Sequence, residues 1–346
     1  MAEPPEQFEL PAPPRRPARG VRVRRACRHA FRSALARAGL GLTSWLPLST
    51  GQRLGAWLAP VALRFPGRVR DSILTNLALC FPELAEEERW GLARASLTAS
   101  IAAMLELGPL WNWDRERVLS LVREVNGLEA LDAAVSSGRG AVLIGPHLGA
   151  WEIAGLFVSA RAPVTSLYRP PQVRGLEHRL KRARERFGAR LVPADAGGVR
   201  ALYRSLQRGE VVCVLPDQDP GSSGGIFAPF FGLLARTSTL TARLLAHSEA
   251  VPILTWAERL ERGRGYRLNF IELDAGLLCC GDVERATHAL NLELENLIRR
   301  FPRQYLWSYR RFRHRPPGHA NPYRRGSAPT EMVGALGDGR ASGAAS

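Results

Sequence analysis

The stretch GPHLGAWEIAG, residues 145–155, sets one histidine and one glutamate among glycine, proline, alanine and apolar side chains. An imidazole beside a carboxylate makes a general base. The ionised acid fixes the tautomer and stabilises the imidazolium, and the second ring nitrogen takes a proton from a hydroxyl. This is the histidine–acid half of a hydrolytic triad without its serine, so the nucleophile would be an alcohol of the substrate itself. On one continuous helix, His147 and Glu152 would point about 140° apart. A turn at Gly149-Ala150 removes that obstacle and lets the carboxylate reach the ring. A glutamate in a first helical turn is also kept ionised by the helix dipole. Because H-x4-E is a short pattern, the two residues read as well as a loop histidine followed by a capping glutamate.

The surrounding sequence indicates what positions this loop. Short β-rich runs, AVLIG (141–145), PVTSLY (163–168), EVVCVL (210–215) and AVPILTW (250–256), alternate with helical stretches near 151–160, 175–187, 197–208 and 238–249. Continuous apolar strands between helices predict a mostly parallel sheet covered on both faces. Ligands of such sheets bind beyond the carboxyl ends of the strands, where His147 emerges. YRLNFIEL (266–273) alternates like an edge strand, and residues 69–122 read as helical throughout. The fold class expected is α/β: a mostly parallel central sheet covered by helices, with a helical N-terminal lobe. One domain over 21–320 divides into that lobe (21–125) and an α/β core (126–320). Pro-rich residues 1–20 and Gly/Ala/Ser-rich residues 321–346 are expected to be disordered tails.

A 346-residue chain with 45% hydrophobic residues can bury a sizeable core, and its net charge of +16 points to an anionic partner. Lys181 is the single lysine, so the charge is arginine, which suits bidentate phosphate contacts. Five cysteines at irregular spacing give neither a disulfide framework nor a zinc site, and a reducing compartment fits them. No paired Cys/His finger or aromatic RNA-binding strand is recognisable, so no nucleic acid partner is expected, and a non-catalytic basic binding protein is the lesser alternative. There is no signal peptide pattern at the N-terminus and no uninterrupted apolar span of membrane-crossing length. Residues 39–64 carry Trp45 and Trp57 among leucines in two apolar halves split by STGQR. They read either as a helical hairpin lying in a membrane interface or as two core-packed helices. Residues 21–36 hold five arginines and no acid, fitting a basic amphipathic helix or a solvated linker. The loop GIFAPFFGLLA (225–235) offers Phe227, Phe230 and Phe231 as an acyl or membrane wall or as core packing.

Beyond the H-x4-E pattern, five ordered blocks carry a resemblance: NLALCFPEL (76–84), LYRP (167–170), LPDQDPG (215–221), FAPFFGLLARTSTLTARLLAHSEAVPIL (227–254) and FPRQYLWSYRRFR (301–313). Over about residues 20–315 the chain resembles the bacterial lipid A late (lauroyl/myristoyl) acyltransferases, within the wider glycerolipid acyltransferase superfamily. The resemblance implies transfer of a fatty acyl chain from acyl carrier protein or coenzyme A to a hydroxyl of a lipid A precursor, or the same transfer onto another membrane lipid. The expected location is the cytoplasmic face of the inner membrane, on an anionic surface. No cofactor is implied beyond the phosphopantetheine of the donor thioester, and no metal. Carried over residue by residue, His147 matches the general base, Glu152 the acid that orients it, Arg169 a phosphate-facing arginine, and Asp217 a residue shaping the site. Arg310 and Arg311, in YRRFRHR, either bind lipid phosphate or the acidic carrier, or belong to a solvated basic strand end. Arg184, in RARERFG, either reaches the site or charges a helix surface. Two departures are plain: the last block reads Trp307-Ser308-Tyr309 where the family usually has Trp-x-His, and no N-terminal anchor helix is evidently apolar enough to span.

Overall fold

The computed structural model describes residues 33–170, 176–221 and 224–324. The expected tail 1–20, residues 325–346 of the other and most of the arginine-rich segment 21–36 lie outside them. The described chain continues to Arg324, and the Tyr323 hydroxyl accepts from the Phe312 amide at 3.1 Å.

The N-terminal region is helical over 33–43, α1 (Leu48–Arg64), α2 (Arg68–Cys80), α3 (Glu86–Asn112) and α4 (Arg115–Leu119). The run read as continuous from 69 breaks at Phe81-Pro82, since proline cannot continue the hydrogen-bond ladder of α2. The next helix, α3, starts where Glu88 reaches back to the Ala85 amide at 2.9 Å and Glu86, Glu87 and Glu88 crowd the first turn. Gly51, Gly55 and Ala59 recur along the buried stripe of α1, and their small size allows close approach to α3: a Cβ on Gly55 would strike the Thr98 carbonyl oxygen. The opposite stripe, Trp57, Val61 and Phe65, stays exposed, as do Leu42 and Trp45 before it. One face of residues 48–64 is thus core-packed and the other is bare. No helix among the described residues is long and apolar enough to cross a membrane.

The remaining elements are β1 (Val122–Asn126), α5 (Leu128–Ser136), β2 (Ala141–Ile144), α6 (Trp151–Ser159), β3 (Val164–Tyr168), α7 (Glu177–Glu185), β4 (Ala189–Pro193), α8 (Ala196–Gln207), β5 (Val211–Val214), β6 (Gly225–Phe230), β7 (Leu233–Ser238), α9 (Leu240–Ala246), β8 (Val251–Arg259), β9 (Tyr266–Glu272), α10 (Ala275–Leu278) and α11 (Val283–Arg300). A seven-stranded sheet has the order β1-β9-β8-β2-β5-β3-β4. Strands β2, β3, β4, β5 and β8 run parallel, while β9 is antiparallel to β8 and carries β1 alongside it. Both faces are covered. Val142 and Ile144 of β2 enter one apolar core with α1–α3 and α11, and Ala141 and Leu143 enter the other with α6.

Two expectations change. Segment 266–273 is no edge strand, because the short polar strand VREVN (β1) pairs on its outer side. The phenylalanine-rich segment is a two-stranded hairpin, β6–β7, turning through Phe231 and Gly232 at positive φ. Phe230 and Phe231 are buried there against Phe81, Trp307 and Phe312, and only Phe227 stays partly open.

Candidate active site

Strands β2 and β5 are parallel neighbours in which Ile144 is registered with Val214. Each is followed by a proline and then a polar residue: Ile144-Gly145-Pro146-His147 and Val214-Leu215-Pro216-Asp217. The pairing continues past the strand ends, with the Gly145 amide donating to the Val214 carbonyl at 3.1 Å. His147 and Asp217, each three residues beyond the registered pair, therefore meet at the carboxyl edge of the sheet. Asp217 holds the histidine twice: Oδ2 accepts from the His147 backbone N–H at 3.0 Å and Oδ1 lies 2.8 Å from Nδ1. Asp217 is only 1% exposed. Burial raises its carboxyl pKa, but the adjacent His147, by charge and two hydrogen bonds, carries the balance below the ordinary aspartate value. An ionised Asp217 fixes the proton on Nδ1 and leaves Nε2 as the basic nitrogen of the ring.

The expected His147–Glu152 contact is not formed. Glu152 lies in the first turn of α6, and its carboxylate turns toward α7 and α3, where Arg184 grips it through Nε (3.0 Å) and Nη2 (2.7 Å) while the Trp111 indole N–H donates at 2.9 Å. Burial pushes the Glu152 carboxyl up, and Arg184 and Trp111 outweigh it, so the group is held below its ordinary value. Arg184 is thus no free surface charge. Trp111 ties the N-terminal lobe to the core at this point.

His147 and the Glu152–Arg184 pair border one cavity of about 430 Å³, a size typical of small-molecule sites. His147, Trp151, Glu152, Gly155, Arg169 and Arg184 line it. Its inner wall includes Cys213, whose thiol is pushed up to about 11 by burial and is therefore no nucleophile at neutral pH.

Arg310 and Arg311 do not line this cavity. Arg310 donates to the Ser72 hydroxyl of α2 at 3.0 Å, and Arg311 is buried, bonded to the Arg236 carbonyl and the Thr237 hydroxyl of β7. Arg311 turns inward beside the buried Phe312, so it braces the hairpin and is not available to phosphate. Near the departure from Trp-x-His, the Tyr309 hydroxyl accepts from the Asp219 amide at 3.0 Å, and a later histidine, His314, meets the buried Asp219 carboxylate at 2.8 Å. The third and last blocks are joined there.

Sequence reasoning missed the clamp behind the histidine loop. Arg259 of β8 and Glu106 of α3 form a buried bidentate pair at 2.6 and 2.7 Å, and Arg259 also donates to the Gly149 carbonyl at 3.3 Å. Gln304 bonds both the Arg259 amide and its carbonyl, and its own carbonyl accepts from the Gly149 N–H. Gly149 has φ of +62°, and a Cβ there would strike the Ala257 carbonyl oxygen, so the residue has to be glycine. A lone glutamate in an apolar helix and a lone arginine ending an apolar strand were the available signals.

The model of the bacterial lipid A biosynthesis acyltransferase family matches residues 24–314. The chain is 32% identical to the lipid A biosynthesis palmitoleoyltransferase of Escherichia coli (strain K12), over 79% of this chain and 87% of that protein. It is 28% identical to the lipid A biosynthesis lauroyltransferase of the same organism over 82% and 92%, and 26% identical to its myristoyltransferase over 76% and 82%. With the match running through nearly all of the described residues, the chain belongs to the bacterial lipid A biosynthesis acyltransferase family.

Proposed function

We propose that this protein moves a fatty acyl group from the thioester of acyl carrier protein, or of coenzyme A, to a hydroxyl of a lipid A precursor at the cytoplasmic face of the inner membrane. The observation that carries the reading is His147, pinned through Nδ1 to the buried Asp217 carboxylate and lining the cavity with its ring. Nε2 takes the proton of the acceptor hydroxyl as its oxygen attacks the thioester carbonyl. The tetrahedral intermediate collapses with loss of the thiolate, and the imidazolium returns the proton to that sulfur. General-base assistance of this kind is worth about 10² to 10⁴ in rate. Arg184 engages Glu152 through Nε and Nη2, which leaves Nη1 to face the developing oxyanion or the donor's phosphate. Arg169, at the rim, serves the acceptor phosphate.

The bare stripe of Trp57, Val61 and Phe65 with Trp45 supports peripheral seating in the membrane interface, where indole rings are favoured. A net charge of +16 supports attraction to an anionic leaflet and an acidic carrier. Replacement of the usual histidine by Tyr309 favours one second reading, the same transfer onto a different membrane lipid. The test is transfer of labelled acyl groups from acyl carrier protein to a tetra-acylated lipid A precursor, by wild type and by His147→Ala. Wild type transfers and the folded variant does not. Transfer by wild type only to other lipids selects the second reading, and equal activity of both proteins refutes the role of His147.

A further inference from the structure

Beside the main cavity lies a second, smaller apolar slot of about 30 Å³ between α6 and the sheet, lined by Leu143, Ala154, Val158 and Val164 among others. Trp151, Gly155, Val164, Cys213 and Leu215 border both spaces. Of these, Gly155 has no side chain, and a Cβ built on it meets nothing within 4 Å. Its backbone is ordinary α-helix within α6, so no turn or positive φ calls for glycine there. Glycine in a helix interior is unfavourable relative to alanine. At Gly149 the conformation and the nearby carbonyl explain the residue, whereas at Gly155 only the open space beside it does.

We propose that Gly155 is a specificity-determining residue for acyl-chain length, leaving open the passage through which the end of the chain leaves the cavity for the apolar slot. This rests on the acyl-transfer reading of the His147 site. The slot adds only about 30 Å³ to the roughly 430 Å³ of the main cavity, so it extends the path by a short apolar end. It therefore receives the last carbon or two of the longest chain accepted. Past it, Leu143 and Val158 end the path with branched side chains. A methyl group at residue 155 narrows the passage, and a leucine closes it. Because one methylene in a hydrophobic pocket discriminates by about tenfold or more, the longest accepted chain drops sharply and shorter chains are spared.

The experiment compares wild type, Gly155→Ala and Gly155→Leu with saturated acyl donors of ten to eighteen carbons on acyl carrier protein. In parallel, free fatty acids of the same lengths displace a fluorescent fatty acid, a readout that needs no turnover. Gly155→Ala is expected to shorten the longest efficiently used and bound chain by two carbons, with Gly155→Leu shortening it further. For each, activity on the longest wild-type substrate falls at least about tenfold relative to the shorter ones. The melting temperature of Gly155→Ala stays the same or rises, which separates the effect from unfolding. An equal loss at all chain lengths, or an unchanged length profile in both assays, overturns the proposal. Wild-type protein that transfers to no lipid yet shows the length shift in displacement would refute the acyl-transfer reading while upholding the passage.

Discussion

Replacing Asp217 by asparagine tests which carboxylate serves the histidine. The substitution preserves size and leaves one acceptor for either the Nδ1 proton or the His147 amide, which sit at 2.8 and 3.0 Å from the two carboxylate oxygens. The negative charge is lost. A hydrogen bond to a charged partner contributes about 1.5–3 kcal/mol, or a factor of roughly 10 to 150. If the new amide N–H₂ turns to Nδ1, the ring takes the other tautomer and Nε2 carries the proton, so it ceases to be a base. Together these effects predict a fall in kcat of about 10² to 10⁴, with KM for the acyl donor little changed. His147→Ala should fall as far, and the double variant no further, because the two residues act as one unit. Steady-state acyl transfer checks this, with thermal melts to show that each variant is folded. An Asp217→Asn enzyme within threefold of wild type, beside a Glu152→Gln enzyme reduced a hundredfold or more, would refute the reasoning and restore Glu152 as the partner of His147.

Glu152→Gln removes the charge that anchors Arg184, and unfolding at neutral pH should show a loss of about 1.5–3 kcal/mol. The folded carboxyl lies below its unfolded value of about 4.3, so the stabilisation is full above that pH and is lost as pH falls through the folded value. The difference between wild type and Glu152→Gln therefore closes only in acid, and one that persists unchanged at the lowest pH of native folding contradicts the ion pair. Glu106→Ala strands Arg259 in the interior and should destabilise by about 3–5 kcal/mol, lowering the melting temperature by on the order of 10 °C. Activity falls with it, because the same guanidinium holds the Gly149 carbonyl. Trp57→Ala should weaken co-sedimentation with anionic vesicles about tenfold, the loss from burying one large side chain less, without altering the melt. Unchanged vesicle binding would remove this stripe from the membrane contact.

The alternation of apolar strands and helices made the sheet readable from sequence, because buried parallel strands are continuous in hydrophobicity and their connections are helical. Strand β1 escaped notice because VREVN carries too few apolar residues to stand out, and without it the alternating β9 looked like an edge. The break at Pro82 was visible in principle, while the burial of Arg311 was not, since an arginine-rich strand end gives no sign of which guanidinium turns inward. His147 was identifiable from its loop. Its partner was harder: Glu152 is close in the chain, whereas Asp217 is close only once β2 and β5 are known to be neighbours. The matched Pro-His and Pro-Asp after two apolar runs were the available hint, and their equal offsets acquire meaning only from the register of Ile144 with Val214.

Under the proposed mechanism, electrostatics favour separate acids for the histidine and the arginine. A carboxylate already doubly bonded to a guanidinium has its charge largely compensated, and would do little to stabilise an imidazolium formed beside it. Glu152 is in that condition, with Arg184 on both of its oxygens. The hydrogen-bond partner of Asp217 is His147 itself, and an imidazolium formed there would meet the carboxylate in a buried setting where the attraction is weakly screened. If one acid served both cations, proton transfer to His147 would loosen Arg184 at the moment the oxyanion forms. With separate acids, the base can change charge while the arginine stays in place.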